Sequence, residues 1–316
     1  MINHIGQIPA AAALKFSNKD ALVFEGQTFS FNQINDLVER AAGGLSDLGI
    51  VQGDTVTLYA ENSWEWIVSY YAIARLGAVI NPVNTMLTPN EIEYVVKDCG
   101  AKAIIASPEK VDAIIRLKNV SDVKEIISFG ADVANGAVSF DALIDANILP
   151  PKPVEIDPAA LSTIGYTSGT TGHPKGAMQS HRAVITNGAM TSQIQMRGAN
   201  DCVVSALPCP HVYANVIMMS MMMFGSKLVL HRAFDVDLAF ADITAHKATI
   251  FDGVPAMYMF MLNSPAIKSA NLSSLTRCYV GGQTMPVATM EAVEVAFKVP
   301  LIELWGMTEI AGLGST

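Results

Sequence analysis

Residues 166–178 read Tyr-Thr-Ser-Gly-Thr-Thr-Gly-His-Pro-Lys-Gly-Ala-Met, a stretch with almost nothing to bury in a chain that is 51% hydrophobic. Thr167, Ser168, Thr170 and Thr171 supply hydroxyls, Gly169, Gly172 and Gly176 supply freedom to turn, and Lys175 supplies a mobile positive charge. Glycines let the backbone turn tightly with its N–H groups facing one point, and such a concave nest of donors suits anionic oxygen. The hydroxyls and the ammonium add donors without bulky carbon in the way. The pattern predicts a cradle for a polyphosphate. It is not the GxxxxGK(S/T) pattern, because Lys175 stands between Pro174 and Gly176, so analogies with GTPases and motor ATPases do not carry over.

Three further stretches have residue types that could do chemistry. Leu207–Ala214 (LPCPHVYA) places His211 ahead of an apolar run, Tyr279–Pro286 (YVGGQTMP) carries Gly281, Gly282 and Gln283, and Leu301–Gly312 (LIELWGMTEIAG) follows Trp305 with Thr308 and Glu309. A Gly-Gly pair permits close approach of backbone to a ligand. The Glu309 carboxylate is a hard oxygen ligand of the kind Mg²⁺ takes together with substrate phosphates. After His211, the run Val216–Gly225 (VIMMSMMMFG) is rich in methionine, which fills irregular apolar space. Together with Tyr213, Gly253, Val254, Pro255 and Met257 it is a candidate lining for a substrate pocket, with core packing the alternative for individual methionines.

These residues need a scaffold, and the chain alternates short β-rich runs with longer helical patterns. Residues 21–30 predict a hairpin turning at Glu25-Gly26, after which Ser30 and Gln33 form a capping box for a helix that stops at Gly49. Strands are predicted at 55–60, 78–83 and 103–106, with helices over 64–76 and from Pro89, where Thr88, Pro89 and Glu91 give a cap, a first-turn proline and a capping-box partner. The prolines of residues 149–158 (LPPKPVEIDP) predict a connection between subdomains of about 1–150 and 151–316. In the second set, strands are predicted at 161–166, 202–206, 227–231, 248–252, 277–280 and 300–304, with helices over 181–196, 212–224, 236–246, 255–263 and 286–297. The glycine-rich stretch then runs from a strand into a helix near Ser180 or His181. Alternation of this kind predicts an α/β fold with mostly parallel sheets covered by helices.

Composition narrows the function classes. The chain has 316 residues, a net charge of -9, a pI near 5.1 and a mean hydropathy of +0.34, and it has no run of lysines or arginines, which argues against nucleic acid and anionic membranes as partners. The first sixteen residues lack a basic region and are broken by Pro9 and Lys15, so no export signal is expected. The longest apolar run, 212–225, is interrupted by Asn215 and Ser220 and falls short of the ~20 residues of a spanning helix. Cys99, Cys202, Cys209 and Cys278 show no CxxC pair or zinc-like spacing and are expected to be reduced, buried thiols of a cytoplasmic protein.

Residues 166–176, YTSGTTGHPKG, resemble the phosphate-binding signature of the AMP-forming adenylating enzymes, the superfamily of acyl-CoA and aryl-CoA synthetases, firefly-type luciferases and nonribosomal peptide adenylation domains. The other three stretches carry the same resemblance, which covers nearly the whole chain. It implies the large N-terminal domain of the acyl-CoA synthetase type, with two stacked, mixed but mostly parallel sheets in αβαβα layers. It also implies ATP, Mg²⁺ and coenzyme A as cofactors and a small-molecule carboxylic acid as substrate. By the match, residues Thr167 to Gly172 and Lys175 hold phosphates, Trp305 lies against adenine with Gly281, Gly282, Gln283, Gly306 and Met307 around the nucleotide, Thr308 bonds the α-phosphate, Glu309 binds Mg²⁺, and His211 stands beside the substrate carboxylate. Thr308, Glu309, Lys175 and His211 are thus the catalytic candidates. Trp305 stands where the family usually has tyrosine, keeping the stacking face and discarding the phenol oxygen.

In the family a ribose-binding Thr-Gly-Asp stretch, a hinge and a small C-terminal domain with a catalytic lysine come later than the residue matching Thr316. The expectation is therefore an N-terminal portion of an acyl-CoA synthetase, 1–316, incomplete at its C-terminal end, with a homodimer as a candidate assembly. The implied reaction is ATP-dependent activation of an apolar acid to acyl-AMP and then acyl-CoA. An amino-acid or aryl-acid adenylation domain is the enzyme alternative, and a non-catalytic nucleotide or acyl-AMP sensor the alternative from another class. The first needs an aspartate for a substrate ammonium, and FDVD at 234–237 instead opens a helix ahead of GVPAMY.

Overall fold

Alternating strands and helices form as the pattern requires, and the computed structural model describes them over residues 2–131, 133, 136–146, 148–152, 155–167 and 173–316. After α1 (Ile8–Phe16), strands β1 (Asp20–Phe24) and β2 (Gln27–Ser30) make a hairpin whose two loop residues, Glu25 and Gly26, have φ of 45° and 78°. Positive φ at both positions matches the twist of the flanking strands. Next comes α2 (Phe31–Asp47), with Phe31, Ile34, Val38, Ala41 and Leu45 buried along one stripe.

A first alternating series follows: β3 (Thr55–Tyr59), α3 (Trp64–Arg75), β4 (Val79–Pro82), α4 (Pro89–Asp98), β5 (Ala101–Ala106), α5 (Pro108–Ile114), β6 (Glu125–Ser128), β7 (Val138–Ser139), α6 (Phe140–Asp145), β8 (Leu161–Thr167) and β9 (Lys175–Ser180). The capping box at α4 is formed as predicted, with Thr88 Oγ1 accepting from Glu91 N and Glu91 Oε2 accepting from Thr88 N. The second series is α7 (His181–Ile194), β10 (Cys202–Ser205), α8 (Val212–Phe224), β11 (Lys227–Leu230), α9 (Val236–Ala245), β12 (Ile250–Gly253), α10 (Pro255–Asn263), β13 (Arg277–Gly281), α11 (Val287–Phe297), β14 (Leu301–Met307) and β15 (Gly312–Ser315).

The chain divides into two compact units, Met1–Asn18 with Phe31–Thr186, and Lys19–Ser30 with Asn187–Thr316. This corrects the boundary expected at residues 149–158. The proline-rich connection leads back into the first unit, because β8 pairs in parallel with β4 through Ile80 and Thr163. The hairpin β1–β2 joins the second unit instead, since β1 pairs in parallel with β11, Leu22 opposite Leu228. Strand pairing distant in sequence decides both points, and proline content reports neither.

In the first unit the described strands run β7-β6-β5-β3-β4-β8-β9, parallel except for β9. Strands β4 and β5 leave the central β3 on opposite sides. Helices α4 and α5 cover one face over a core of Ile92, Val95, Val96, Ile104, Val111, Ile114 and Ile126. In the second unit the order is β15-β14-β13-β12-β10-β11-β1-β2, so β10 lies between β11 and β12. Helices α9, α10 and α11 bury Phe240, Ile243, Tyr258, Met261, Val293 and Phe297 against Val204, Phe251 and Val280 on one face. The opposite face carries Ser205, Asp252 and Tyr279, beneath α8. No helix among the described residues is long and apolar enough to cross a membrane. Cys202, Cys209 and Cys278 are buried and Cys99 half-buried, all as free thiols.

In the first unit, His181 opens α7 with its ring fully buried, its Nδ1 accepting from Ile5 N at 3.2 Å and its Nε2 without a protein partner. Burial, helped by the neighbouring His4 ring at 5.8 Å, pushes its pKa down from 6.5 to about 4. The unfolded chain therefore binds this proton below pH 6.5 while the folded chain refuses it until about pH 4. Stability from this group is complete above pH 6.5 and falls as pH drops through that window, by on the order of 2 kcal/mol after allowance for solvent screening. Urea unfolding at pH 7 and pH 4.5 should show that part of the loss disappearing in His181→Asn, which keeps an acceptor for Ile5 N and cannot titrate.

Candidate functional site

The residues singled out by sequence divide between the two units. In the first, Thr167 ends β8 and Lys175 opens β9, directly opposite each other in antiparallel register. The expectation that this stretch passes straight from strand to helix is corrected: β9, antiparallel to β8, comes before α7. Gly-Ala-Met-Gln-Ser has low β propensity, and its strand conformation comes from pairing along β8. Ser168, Gly169, Thr170, Thr171 and Gly172, the heart of the expected cradle, lie outside the described residues.

Both flanks of that stretch rest on α4. Tyr166 donates its phenol hydrogen to Asp98 Oδ2 at 2.5 Å, and the His173 ring stacks on Tyr94, with centroids 4.6 Å apart and planes 16° from parallel. Tyr94 and Asp98 are four residues apart on α4 and so share a face. Burial first, and then the bond to Asp98, raises the Tyr166 pKa. Tyr166 reaches across Gly176, where a Cβ would come within 2.7 Å of Ile164 Cγ2 and 3.3 Å of Tyr166 Cζ. The glycine after Lys175 is thus explained by packing, while Lys175 itself is exposed.

In the second unit the remaining candidates come from the carboxyl ends of neighbouring parallel strands, the edge at which open α/β sheets bind ligands. His211 follows β10 and caps α8, its Nδ1 accepting from Tyr213 N at 3.3 Å, which leaves Nε2 as the atom free to meet a ligand. The residue is exposed at its surface, and desolvation by the protein behind it lowers its pKa, favouring the neutral ring. Gly253 ends β12, and Val254 and Pro255 open α10 with Met257 N bonding back to Val254 O. Gly281 ends β13, followed by Gly282 at φ 85° and the exposed Gln283. Tyr213 joins two of these ends, since its Cε1 lies 3.4 Å from where a Gly281 Cβ would stand.

Trp305, Gly306 and Met307 finish β14, paired with β15 rather than with β13. Trp305 is 59% exposed and lies over Gly314, where a Cβ would fall 2.5 Å from Cζ3, leaving much of the indole open for stacking. Thr308 and Glu309 begin a short 3₁₀ turn, Thr308–Ile310, with the Glu309 carboxylate exposed. That carboxylate makes no ion pair among the described residues, so it is available as a hard ligand. No cluster of three or more His, Cys, Asp or Glu side chains that could hold a metal occurs among the described residues. The donor set fits Mg²⁺ held by one carboxylate with a ligand's phosphates, and does not fit a metal held by protein alone.

Sequence reading missed the polar layer under this edge. Arg197 and Asp252, both fully buried, pair through Nη1–Oδ2 at 2.9 Å and Nη2–Oδ1 at 2.7 Å. Tyr213 donates to Asp252 Oδ1 at 3.0 Å, Arg197 Nε donates to Gln195 Oε1 at 2.6 Å, and the guanidinium sits 4.8 Å from the Tyr279 ring centre. Burial first, then the Asp252 charge, raises the Tyr213 pKa, keeping it a donor. A signal was present, since Asp252 is the one charged residue of the short strand β12, Ile250–Gly253. Met218, Met219, Met221 and Met222 are buried in α8, which favours core packing for these four. Asn187, which no sequence signal marks, bonds from α7 to the turn after Glu309.

Residues 10–316 match the family model described as AMP-binding enzyme. The chain is 30% identical over 308 residues to indoleacetate–CoA ligase of Aromatoleum aromaticum, covering 97% of this chain and 58% of that protein. It is 32% identical over 295 residues to 4-coumarate–CoA ligase 5 of Oryza sativa subsp. japonica, covering 90% and 53% respectively. Among solved structures, the inhibitor-bound N-terminal domain of FACL13 from Mycobacterium tuberculosis superposes with a TM-score of 0.90 at 28% identity, over 98% of this chain and 77% of that one. The anthranilate CoA ligase AuaEII in complex with anthranoyl-AMP shares the fold at a TM-score of 0.92 and 24% identity, over 98% of this chain and 61% of that one. The chain spans somewhat more than half the length of the curated relatives it matches.

The buried pair gives a graded expectation. Asp252→Ala leaves a guanidinium buried without its counter-ion and should lower stability by about 3–5 kcal/mol, whereas Tyr213→Phe removes one bond to a charged acceptor and should cost about 1.5–3 kcal/mol. Chemical unfolding of the two variants checks the order.

Proposed function

Because the chain belongs to the AMP-binding enzyme family, we propose that it binds ATP and an apolar carboxylic acid, aliphatic or aromatic, and serves the AMP-forming activation of that acid to acyl-AMP and onward to acyl-CoA. The observation that carries this reading is the set Trp305, Thr308 and Glu309 beyond the carboxyl end of β14, next to Gly281 and Gly282 at the end of β13. An exposed aromatic face, a hydroxyl and an unpaired carboxylate in that order suit adenine, the α-phosphate and a phosphate-bound cation.

In the proposed reaction a carboxylate oxygen attacks the α-phosphorus, the bond to the bridging oxygen breaks, and pyrophosphate leaves with that electron pair. Two anions must meet, so the residues' work is to hold phosphates and screen charge. Thr308 orients the α-phosphate. Lys175, Thr167 and the stretch Ser168–Gly172 hold the outer phosphates, and His211 Nε2 steadies the acid's carboxylate. Mg²⁺ bound at Glu309 would supply further charge neutralisation on the phosphates. In the second step the thiolate of coenzyme A displaces AMP from the acyl carbon.

An apolar acid is favoured over an amino acid because two candidate partners for a substrate ammonium, Asp252 and Asp235, are engaged. Asp252 is paired with Arg197, and Asp235 caps α9 by accepting from Leu238 N at 2.8 Å. The names borne by the relatives, ligases of indoleacetate and 4-coumarate, point the same way. Four free thiols fit a reducing, cytoplasmic setting.

Melting curves with acyl-sulfamoyl-adenosine analogues differing only in the acyl group test the proposal. Aryl and fatty acyl versions should raise Tm, and a shift confined to aminoacyl versions would overturn the substrate class. Lys175→Ala and Glu309→Gln should each weaken Mg·ATP binding about tenfold or more by calorimetry. Unchanged affinity in both would sink the assigned phosphate site.

A further inference from the structure

The turn that carries Thr308 and Glu309 joins the paired strands β14 and β15, and a side chain from α7 holds its far side. It is a single 3₁₀ turn, closed by Ala311 N bonding to Thr308 O at 3.0 Å, with Ala311 in the left-handed region at φ 62° although it is not glycine. A left-handed alanine persists only where surroundings over-determine it. The side-chain amide of Asn187, one turn and a half into α7, provides that determination. Its Nδ2 donates to Ile310 O at 3.1 Å and to Leu313 O at 2.9 Å, and its Oδ1 accepts from Leu313 N at 3.1 Å. One amide thus plays the part of a peptide group for the end of the turn and the start of β15, more than 120 residues away in sequence. Thr191, one turn further along α7, donates to the same Oδ1 at 3.3 Å and fixes the orientation of the amide. The approach is so close that a Cβ at Gly312 would lie 2.2 Å from Asn187 Oδ1. Only glycine fits.

We propose that Asn187 is the positioning residue for Thr308 and Glu309, setting the direction in which the Glu309 carboxylate meets a phosphate-bound Mg²⁺. The inference rests on the nucleotide-binding reading given above. The Asn187 amide is bonded to backbone of Ile310 and Leu313 and to the Thr191 hydroxyl. It acts by fixing backbone at 310–313, so the Glu309 side chain, one residue away, starts from a fixed backbone position. Groups that orient a metal ligand typically change metal affinity 10–100-fold when removed.

The test compares the wild-type chain with Asn187→Ala in two measurements. Hydrogen–deuterium exchange should show the Leu313 amide exchanging about tenfold faster or more in the variant, with Val280 in β13 unchanged. Calorimetry should show Mg·ATP binding about tenfold weaker, with ATP binding in EDTA unchanged. Equal losses with and without Mg²⁺, or no loss in either condition, would overturn the positioning role, since a purely structural contribution has no reason to follow the metal. Should Asn187→Ala fold poorly, Asn187→Asp keeps the shape and the acceptor, removes the two donated bonds, and must show the same selective loss of Mg·ATP affinity. Wild-type chain that binds no Mg·ATP overturns the nucleotide reading itself, a result distinct from the exchange of Leu313.

Discussion

Taking a guanidinium and a carboxylate out of water costs several kcal/mol per ion, so Arg197 and Asp252 can remain buried only if every remaining donor and acceptor is matched. The second unit supplies partners from Tyr213 in α8, Gln195 at the end of α7 and the aromatic face of Tyr279 in β13. The same bonds tie the helices of one face to the ends of β10, β12 and β13, where His211, Gly253 and Gly281 emerge. A polar layer beneath an apolar edge also limits what the edge can accept. With Asp252 engaged by Arg197, its carboxylate is not a free anion at the end of β12.

Parallel strands arranged around a central one whose successors depart to opposite sides leave their carboxyl ends open to ligand. Both sheets have this arrangement, around β3 in one and β10 in the other. What differs is how the chemistry-bearing segments are held. The second sheet presents short turns directly off its strands. The first presents a hairpin at its margin, β8 with β9, and margins of sheets are the least supported part of a fold. Tyr166 and His173 compensate by reaching to Asp98 and Tyr94 on α4.

A common device runs through these supports. A side chain from a helix acts on the flank of a turn that carries candidate residues. Asn187 does so with an amide that imitates a peptide, and Asp98 with a carboxylate that accepts a phenol hydrogen. In each case a glycine makes the approach sterically feasible, Gly312 under Asn187 and Gly176 under Tyr166. The glycines Gly176 and Gly312 in these motifs therefore serve packing.

By itself, the sequence determined the elements whose signals are local and, through its contiguous motifs, the family. The Glu25-Gly26 turn, the capping box at Thr88 and Glu91, most strands of the second unit and the four candidate segments were legible because each depends on neighbours within a few positions. Long-range pairing was not. Nothing local distinguishes β1 as a partner of β11, or gives Gly-Ala-Met-Gln-Ser the conformation of β9, since strand partners are chosen by burial and register over the whole sheet. The Arg197–Asp252 pair and the hold of Asn187 on residues 310–313 are likewise tertiary facts, because a hydrogen bond joins atoms brought together by the fold, whatever their separation along the chain.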